Sequence, residues 1–367
     1  MTARILVLGG YGIFGSFICR KLSETPGLSL IVAGRSLEKA RAFAETLPEA
    51  EAVRIDVTEP LADALVQVRP NIVIHASGPF QGQNYAVAEA AIGAGAHYID
   101  LADARDFVAG IGALADAAET KGVTVVSGAS SVPCLTSAIV DHYLSRFTVL
   151  RGLDYAISTA QQTGRGLATT RAILGYTGQT FTTLVDGNLR PVHGWQGLTS
   201  HRYRHLGRRF LGYCDIPDLT LFPERYPGLD TVMFRAGLEV PMTHLGLWLL
   251  SWLVRFRLVK SLTPLAPVLL KASNWFNGFG SDASGFHMTL SGEGVDGRPK
   301  SITFELIARS GDGPNIPCIP AILLARRLSS GALHRPGATP CVGLISLEQY
   351  LNELGSLDIT WDTSETC

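Results

Sequence analysis

The chain of 367 residues has no excess of positive charge and no cysteine pattern suited to zinc. Lysine and arginine number 31, against 32 aspartates and glutamates, so the broad positive field that nucleic-acid binding needs is missing. The six cysteines include no CxxC pair and no cluster with histidine. We therefore predict no metal site and no nucleic-acid partner, and expect reduced thiols in a cytoplasmic protein.

Long apolar runs are also missing. The longest uncharged apolar stretch is Val240–Val254, shorter than the roughly 20 residues that cross a bilayer. Residues 1–4 lead directly into an apolar strand pattern and lack the layout of a signal peptide. Hydrophobic residues make up 46% of the chain and charged residues 17%. This composition favours a globular protein, and the length suits two domains.

Apolar, β-branched runs alternate with helical patterns up to about residue 150. The strands are expected near 4–8, 28–33, 52–56, 71–76, 97–100 and 123–126. Continuous apolar strands joined by helical crossovers are typical of a doubly wound α/β fold with a parallel sheet. We predict a Rossmann domain in 1–150, an α+β substrate and dimerisation domain in 151–314, and a segment, 315–367, that packs back on the Rossmann domain.

A glycine-rich turn follows the first predicted strand. Residues 9–15 read GGYGIFG and satisfy both GxGxxG and GxxGxxG between a strand and a helical pattern. In Rossmann domains such glycines permit a tight turn and close backbone approach to the cofactor's pyrophosphate, at the N-terminus of the following helix. A purely structural turn is the alternative. The predicted pyrophosphate contacts are Gly9, Gly12, Ile13, Phe14 and Gly15.

The acid that NAD-binding domains place about 20 residues after the glycines is absent. The second strand ends instead in Arg35 and Ser36, whose guanidinium and hydroxyl groups suit a 2′-phosphate. NADP is therefore the expected cofactor, NAD is possible, and the alternative for Arg35 is a solvated loop residue. After the third strand, Asp56 and Val57 lie where an adenine contact is usual, although such an aspartate often caps the next helix.

Three segments resemble the saccharopine dehydrogenase-like family. Ile72–Phe80 contains a GPF turn, Gly95–Leu101 contains an HYxDL strand, and Ser127–Pro133 continues the pattern. The resemblance implies a Rossmann domain with an α+β substrate domain, and NAD(P)-linked chemistry at a carbon–nitrogen bond of an amino-acid-like substrate. At Asp103-Ala104 the chain departs from the TGE that commonly follows HYxDL, so no role is carried over for that glutamate.

The candidate chemistry lies at the carboxyl ends of the strands, where open parallel sheets bind ligands. There the nicotinamide is expected beside Ser77, Gly78, Pro79 and Phe80, with Phe80 as an apolar wall; the alternative is a rigid turn. Hydride transfer at a carbon–nitrogen bond needs an acid/base group. We favour Asp100 or Asp103 for this role, against an alternative in which Asp100 anchors a loop and Asp103 caps a helix.

Two segments of the second domain leave alternatives open. The basic run His201–Arg209 suits a substrate carboxylate, but such a run is more often a solvated loop. Residues 245–260 are apolar on all sides and then basic. They are interpreted as a buried helix or dimer contact, a wall of an apolar substrate pocket, or an interfacial membrane anchor.

The functional expectation is an NADP-preferring dehydrogenase or reductase that acts on a small molecule as a homodimer. A first alternative is a binding protein that senses NADP(H) without catalysis. A second is a membrane-surface-associated oxidoreductase with an apolar substrate, which contacts the membrane through 245–260.

Overall fold

The computed structural model describes residues 2–164 and 166–366. Met1 and Cys367, which the sequence analysis considered, lie outside the described residues; the other five cysteines are buried thiols. The chain divides into two compact units. The first unit comprises Met1–Leu135 and Pro314–Ile345, and the second comprises Thr136–Gly313 and Ser346–Cys367.

The elements are numbered in chain order. The strands are β1 (Ala3–Leu8), β2 (Leu28–Gly34), β3 (Glu51–Arg54), β4 (Ile72–His75), β5 (His97–Asp100), β6 (Thr124–Ser127), β7 (Phe147–Thr159), β8 (Thr180–Val185), β9 (Asn188–His193), β10 (Thr199–Tyr203), β11 (Gly207–Tyr213), β12 (Thr231–Leu238), β13 (Ser284–Gly294), β14 (Pro299–Ala308), β15 (Gly337–Pro340) and β16 (Ile359–Thr366). The α-helices are α1 (Ile13–Ser23), α2 (Leu37–Ala44), α3 (Ala62–Val68), α4 (Ala86–Gly93), α5 (Arg105–Ala109), α6 (Ala115–Thr120), α7 (Thr136–Tyr143), α8 (Leu167–Tyr176), α9 (Asp218–Arg225), α10 (Pro241–Arg255), α11 (Ala266–Asn274), α12 (Ile319–Ser329) and α13 (Leu347–Leu354).

The first unit is built on a parallel sheet. In the described part of the chain, seven strands pair in the order β15-β6-β5-β4-β1-β2-β3. The residues of β4 and β6 are all buried, as expected for strands that helices cover on both faces. Helix α12 packs against α1, β4 and β5. The predicted doubly wound α/β domain is confirmed.

The second unit is built on a mixed sheet. Strand β7 pairs in parallel with β12 and antiparallel with β13, which continues into β14 and β16. Apolar side chains of α8, α10 and the segment before α11 form a separate core cluster beside Trp195. This sheet with its attached helices confirms the predicted α+β domain.

The unit boundaries differ from the predicted domain limits. The first boundary falls at 135/136 rather than 150, because α7 packs with the second unit. Residues 314–345 return to the first unit, where β15 extends the parallel sheet from β6. The prediction that all of 315–367 packs there is wrong for 346–367. Strand β16 instead pairs with β14 from Ser301 to Ala308 and so covers the edge of that sheet.

In the described residues, no helix is both long enough and apolar enough to cross a membrane. Helix α10, with 15 residues, is about 22 Å long.

Candidate cofactor-binding site

The glycine turn joins β1 to α1 in the first unit. Gly9 has a φ of +78°, a left-handed conformation that strongly favours glycine. The N–H groups of Gly9 and Gly10 donate to the carbonyl oxygen of Ala33 over 2.9 and 3.0 Å, and the Gly12 N–H donates to the Gly9 carbonyl over 2.8 Å. The left-handed conformation at residue 9 favours the GxxGxxG alignment, with glycines at positions 9, 12 and 15.

Two of these glycines serve different purposes. A Cβ on Gly15 would lie 2.2 Å from the carbonyl oxygen of Gly9 and 2.8 Å from the Cα of Gly10. Gly15 therefore lets α1 pack against the turn. A Cβ on Gly12 would meet only the Gly9 carbonyl oxygen, at 3.1 Å, and Gly12 is exposed. A side chain at Gly12 would therefore make one close backbone contact, milder than those at Gly15, and its absence leaves space beside the turn.

The N-terminus of α1 opens beside Gly12. The N–H of Ser16 donates to the Gly12 carbonyl oxygen over 2.9 Å, which closes the first turn of the helix. The N–H groups of Ile13 and Phe14 precede that bond, so they have no acceptor within the helix. Two backbone donors at the positive end of a helix dipole form a site for an anion.

Arg35 follows the last residue of β2 and is exposed. Among the described residues its guanidinium forms no ion pair or hydrogen bond, and its electrostatic influence reaches the carboxyl group of Asp56. Arg54, at the end of β3, differs because its guanidinium lies 2.9 Å from the carboxylate of Glu59. The cation at the end of β2 is therefore available to an external anion.

Ser36 and Tyr11 shape the same edge of the sheet. The hydroxyl of Ser36 caps α2 by accepting the Lys39 N–H over 3.3 Å, and the Ser36 N–H donates to the hydroxyl oxygen of Tyr11 over 3.1 Å. A Cβ on Gly34 would lie 2.4 Å from the Tyr11 ring, so the ring covers that residue. Tyr11 was not predicted as a site residue, although an aromatic residue between the glycines, with a glycine ending the next strand, was the available signal.

Asp56 and Val57 follow β3. One carboxylate oxygen of Asp56 accepts hydrogen bonds from the Thr58 N–H (3.1 Å) and hydroxyl (2.8 Å), and these bonds lower the pKa of Asp56. Val57 packs against the core of the first unit. Asp56 thus caps a turn several residues before α3 begins, rather than the helix itself.

The segment Ser77–Phe80 follows β4. The side-chain amide of Gln83 donates to the carbonyl oxygens of Ser77 (3.1 Å) and Pro79 (2.7 Å), which fixes the turn around Gly78. A Cβ on Gly9 would lie 2.7 Å from the Ser77 hydroxyl oxygen. The turns after β1 and β4 are therefore in direct contact.

Phe80 differs from its expected role as an open wall. Its side chain is 4% exposed, and its ring centroid lies 4.9 Å from that of His75 and 5.5 Å from that of Phe107. The physical reason is that the ring fills the space between β4 and α5, where its apolar surface is removed from water.

Asp100, at the end of β5, is fully buried. One carboxylate oxygen accepts the N–H groups of Gly128 (2.8 Å) and Ala102 (3.0 Å) and the hydroxyl of Ser127 (3.0 Å). Burial raises the pKa of Asp100 to about 6, although these hydrogen bonds oppose the change. The geometry supports the alternative in which Asp100 anchors the loops after β5 and β6.

Asp103 lies three residues further on and is exposed. Its Oδ1 accepts a 3.2 Å hydrogen bond from the side-chain amide of Gln81, in the turn after β4. An accessible carboxyl group at the carboxyl end of β5 is a candidate for proton transfer to a bound substrate.

The strand order explains why these residues share one edge. From β1 the chain builds β2 and β3 on one side of the sheet, and β4, β5 and β6 on the other. The carboxyl ends at such a switch point form the crevice in which doubly wound folds bind nucleotides. The glycine turn and Ser77 flank the switch point, whereas Asp56 lies two strands away.

The basic run His201–Arg209 in the second unit forms most of the β10–β11 hairpin rather than a loop. Arg209 is buried and pairs with Glu239 at 3.0 Å, and Arg204 pairs with Asp362. The expectation of a solvated loop is wrong, because strand pairing and a buried partner hold the run. Arg209 is not available to a substrate carboxylate.

The match to a known protein family lies in the first unit. Residues 5–126 match the family described as saccharopine dehydrogenase NADP binding domain. This match lies within the first unit, which is therefore similar to that domain family. The resemblance inferred from the GPF and HYxDL motifs is therefore confirmed. No curated protein matches the chain in sequence.

Two solved structures share the fold over almost the whole chain. Apo saccharopine dehydrogenase (L-Glu forming) from Saccharomyces cerevisiae has a TM-score of 0.71 at 15% identity, covering 99% of this chain and 100% of that one. A homospermidine synthase from Legionella pneumophila, solved with NAD, has a TM-score of 0.62 at 10% identity, covering 100% and 92%. At these identities the likeness concerns the fold. The match to the domain family supports an oxidoreductase-type domain that binds a nicotinamide cofactor.

Proposed function

We propose that the protein is an NADP-preferring oxidoreductase that transfers hydride at a carbon–nitrogen bond of an amino-acid-like substrate. The observation that carries the cofactor preference is the unpaired guanidinium of Arg35 at the end of β2. A carboxylate at this point would hydrogen-bond the ribose hydroxyls of NAD and repel a 2′-phosphate, whereas arginine offers paired donors to phosphate oxygens.

The pyrophosphate is held by the backbone. The N–H groups of Ile13 and Phe14 have no acceptor within α1, and the lack of a side chain at Gly12 would let phosphate oxygens approach them. Gly9 and Gly15 support this site indirectly, because they allow the turn and its packing against α1.

Arg35 would bind the 2′-phosphate, and the Ser36 hydroxyl, whose oxygen already caps α2, would donate its proton to the same group. Tyr11 holds the Ser36 backbone in place. Asp56 and Val57 form the adenine side of the site. Because Asp56 is two strands from β1, its removal is expected to affect cofactor binding less than the loss of Arg35.

The turn Ser77–Pro79 would hold the nicotinamide, and the buried Phe80 supports that turn from inside. Asp103 is the proposed acid/base group, since its side chain is exposed at the end of β5, whereas that of Asp100 is fully buried. When bound, the cofactor supplies or accepts the hydride. Asp103 then moves the proton at the substrate nitrogen, while Asp100 positions the loops around it.

Support for the substrate class comes from the family resemblance and from two enzymes of the same fold, a saccharopine dehydrogenase and a homospermidine synthase. Both names denote compounds with secondary amines, so a carbon–nitrogen bond is the common chemical feature. A homodimer in the cytoplasm stays a prediction from the sequence.

The test is a titration of the full chain with NADPH and with NADH. Arg35→Ala is expected to raise the dissociation constant for NADPH by about tenfold or more, equivalent to about 1.4 kcal/mol or more, and to change that for NADH little. Arg54→Ala is the matched control, because its guanidinium is already paired with Glu59. An equal effect of Arg35→Ala on both cofactors would refute the assignment.

Turnover separates the proposal from the non-catalytic alternative. Oxidation of NADPH in the presence of imines, formed from keto acids or aldehydes with amines, is the expected result. Tight NADPH binding without turnover across a broad panel of such pairs would instead support a protein that senses NADP(H).

A further inference from the structure

An unusual surface lies in the second unit between residues 241 and 280. Of the 18 large apolar side chains that are exposed in the described residues, ten lie within these 40 residues. Six of them are at least 61% exposed, and we call these the apolar face: Leu249, Phe256, Leu258, Val268, Trp275 and Phe279. Such a concentration of exposed large apolar side chains is unusual on proteins that contact only water, so the apolar face indicates a partner.

Helix α10 shows how this surface arises. Its buried positions include Leu247 and Val254, which pack into the core beside Trp195. Its exposed positions Leu249, Leu253 and Phe256 follow at intervals of four and three residues, which places them on one opposite face. A surface helix normally carries polar residues there. Packing within the second unit therefore accounts for only one side of α10.

A groove extends the apolar surface inward. It has a volume of about 480 Å³ and lies between α8, α10 and α11, with Leu174, Leu250 and Leu269 in its lining. Phe276 lines the same groove. It follows Trp275 in the sequence, and its ring centroid lies 6.4 Å from that of Phe279. The apolar surface thus runs from the exposed side chains into the unit.

The charge of this segment has one sign. Residues 241–281 include Arg255, Arg257, Lys260 and Lys271 and no aspartate or glutamate, in a chain whose net charge is −1. Arg257, Lys260 and Lys271 form no ion pair with any described residue. The Arg255 guanidinium lies 4.8 Å from the centroid of the Trp252 ring. Exposed apolar and aromatic side chains interspersed with unpaired cations suit the interface of an anionic bilayer.

We propose that the apolar face docks onto the surface of an anionic lipid bilayer, with the cations of residues 255–271 at the headgroups. Helix α10 is about 22 Å long and would lie along the surface, since about 30 Å is needed to span the hydrocarbon core. A second copy of the chain fits less well. A two-fold interface brings the same patch of both copies together, so the two sets of positive charges would repel each other. The proposal goes beyond the oxidoreductase function and does not depend on it.

The experiment is co-sedimentation of the full protein with vesicles of phosphatidylcholine, with and without phosphatidylglycerol. Binding is expected to be stronger with phosphatidylglycerol and to weaken as salt is raised. The double variant Trp275→Ser and Phe279→Ser is expected to lower the partition coefficient by about tenfold or more, because both side chains bury apolar area in the interface. Protein that sediments with neither vesicle would overturn the proposal.

The controls address folding and self-association. Val295→Ser with Trp361→Ser removes two exposed apolar side chains from elsewhere in the second unit and is expected to leave vesicle binding unchanged; an equal loss would overturn the proposal. The Trp275/Phe279 variant should also keep the melting temperature and NADPH affinity of the wild type. In sedimentation velocity, the Trp275/Phe279 variant could have half the mass of the wild type. If the wild type also does not bind vesicles, the apolar face is an interface between copies of the chain, and the proposal is overturned.

Discussion

Replacing Gly12 with alanine is expected to weaken cofactor binding while the first unit stays folded. Gly12 has a φ of −77° and a ψ of 177°, which any residue can adopt, and a new Cβ would meet only the Gly9 carbonyl oxygen at 3.1 Å. Gly12 is also the N-cap of α1, where alanine is less favourable than glycine by up to about 1 kcal/mol. The methyl group would occupy the space through which phosphate oxygens reach the helix N-terminus.

Gly15→Ala is the matched control, and its main expected effect is a loss of stability. Its Cβ would lie 2.2 Å from the Gly9 carbonyl oxygen and 2.8 Å from the Cα of Gly10. Both atoms belong to the backbone, so the turn must shift relative to α1. Overpacking of this kind typically costs about 1–3 kcal/mol, which corresponds to a melting temperature lower by roughly 2–12 °C.

The assay pairs thermal unfolding with NADPH titration for the wild type and both variants. We expect Gly12→Ala to raise the dissociation constant by about tenfold or more, equivalent to about 1.4 kcal/mol, with a melting temperature within a few degrees of the wild type. Unchanged NADPH affinity in folded Gly12→Ala protein would refute the assignment of the pyrophosphate to this turn.

Three further predictions concern carboxyl groups. Asp103→Asn is expected to lower kcat by about 100-fold or more while Asp100→Asn keeps most of it; equal losses in steady-state assays at neutral pH would contradict the assignment. Because burial raises the pKa of Asp100 to about 6, its contribution to stability is present below about pH 4 and is lost as the pH rises through 6. Urea unfolding of the wild type should show this loss, up to about 3 kcal/mol, and Asp100→Asn should remove it. Glu239→Gln leaves buried Arg209 without its charged partner and should cost about 3–5 kcal/mol in urea unfolding; a loss below 1 kcal/mol would argue against the pair.

The first sheet could be predicted because each of its strands and turns is encoded by residues that are adjacent in the sequence. Each strand is a short apolar run, and the glycine turn combines residue type, spacing and context within a few positions. The same reasoning located Arg35 at the end of β2. It also placed Asp100 and Asp103 at the end of β5, but it could not rank them, since their burial depends on β6 and on the turn after β4.

The errors concern contacts between residues far apart in sequence. Arg209 was expected in a loop because its partner Glu239 lies 30 residues away. The C-terminal strand was assigned to the wrong unit because its pairing with β14 joins residues about 60 apart. Tyr11 was overlooked because its role follows from Gly34, on another strand. The pattern of neighbouring residues in the sequence does not indicate which distant residues pair.

The path of the chain has a consequence for how this protein is made. It crosses between the units after residues 135, 313 and 345, and β15, the last strand of the parallel sheet, is formed by Gly337–Pro340. During synthesis, the edge of β6 that pairs with β15 therefore has no partner strand until nearly the whole second unit has been translated. A chain stopped at residue 345 would complete that sheet yet leave β14 without β16, so neither unit can be obtained by a single cut.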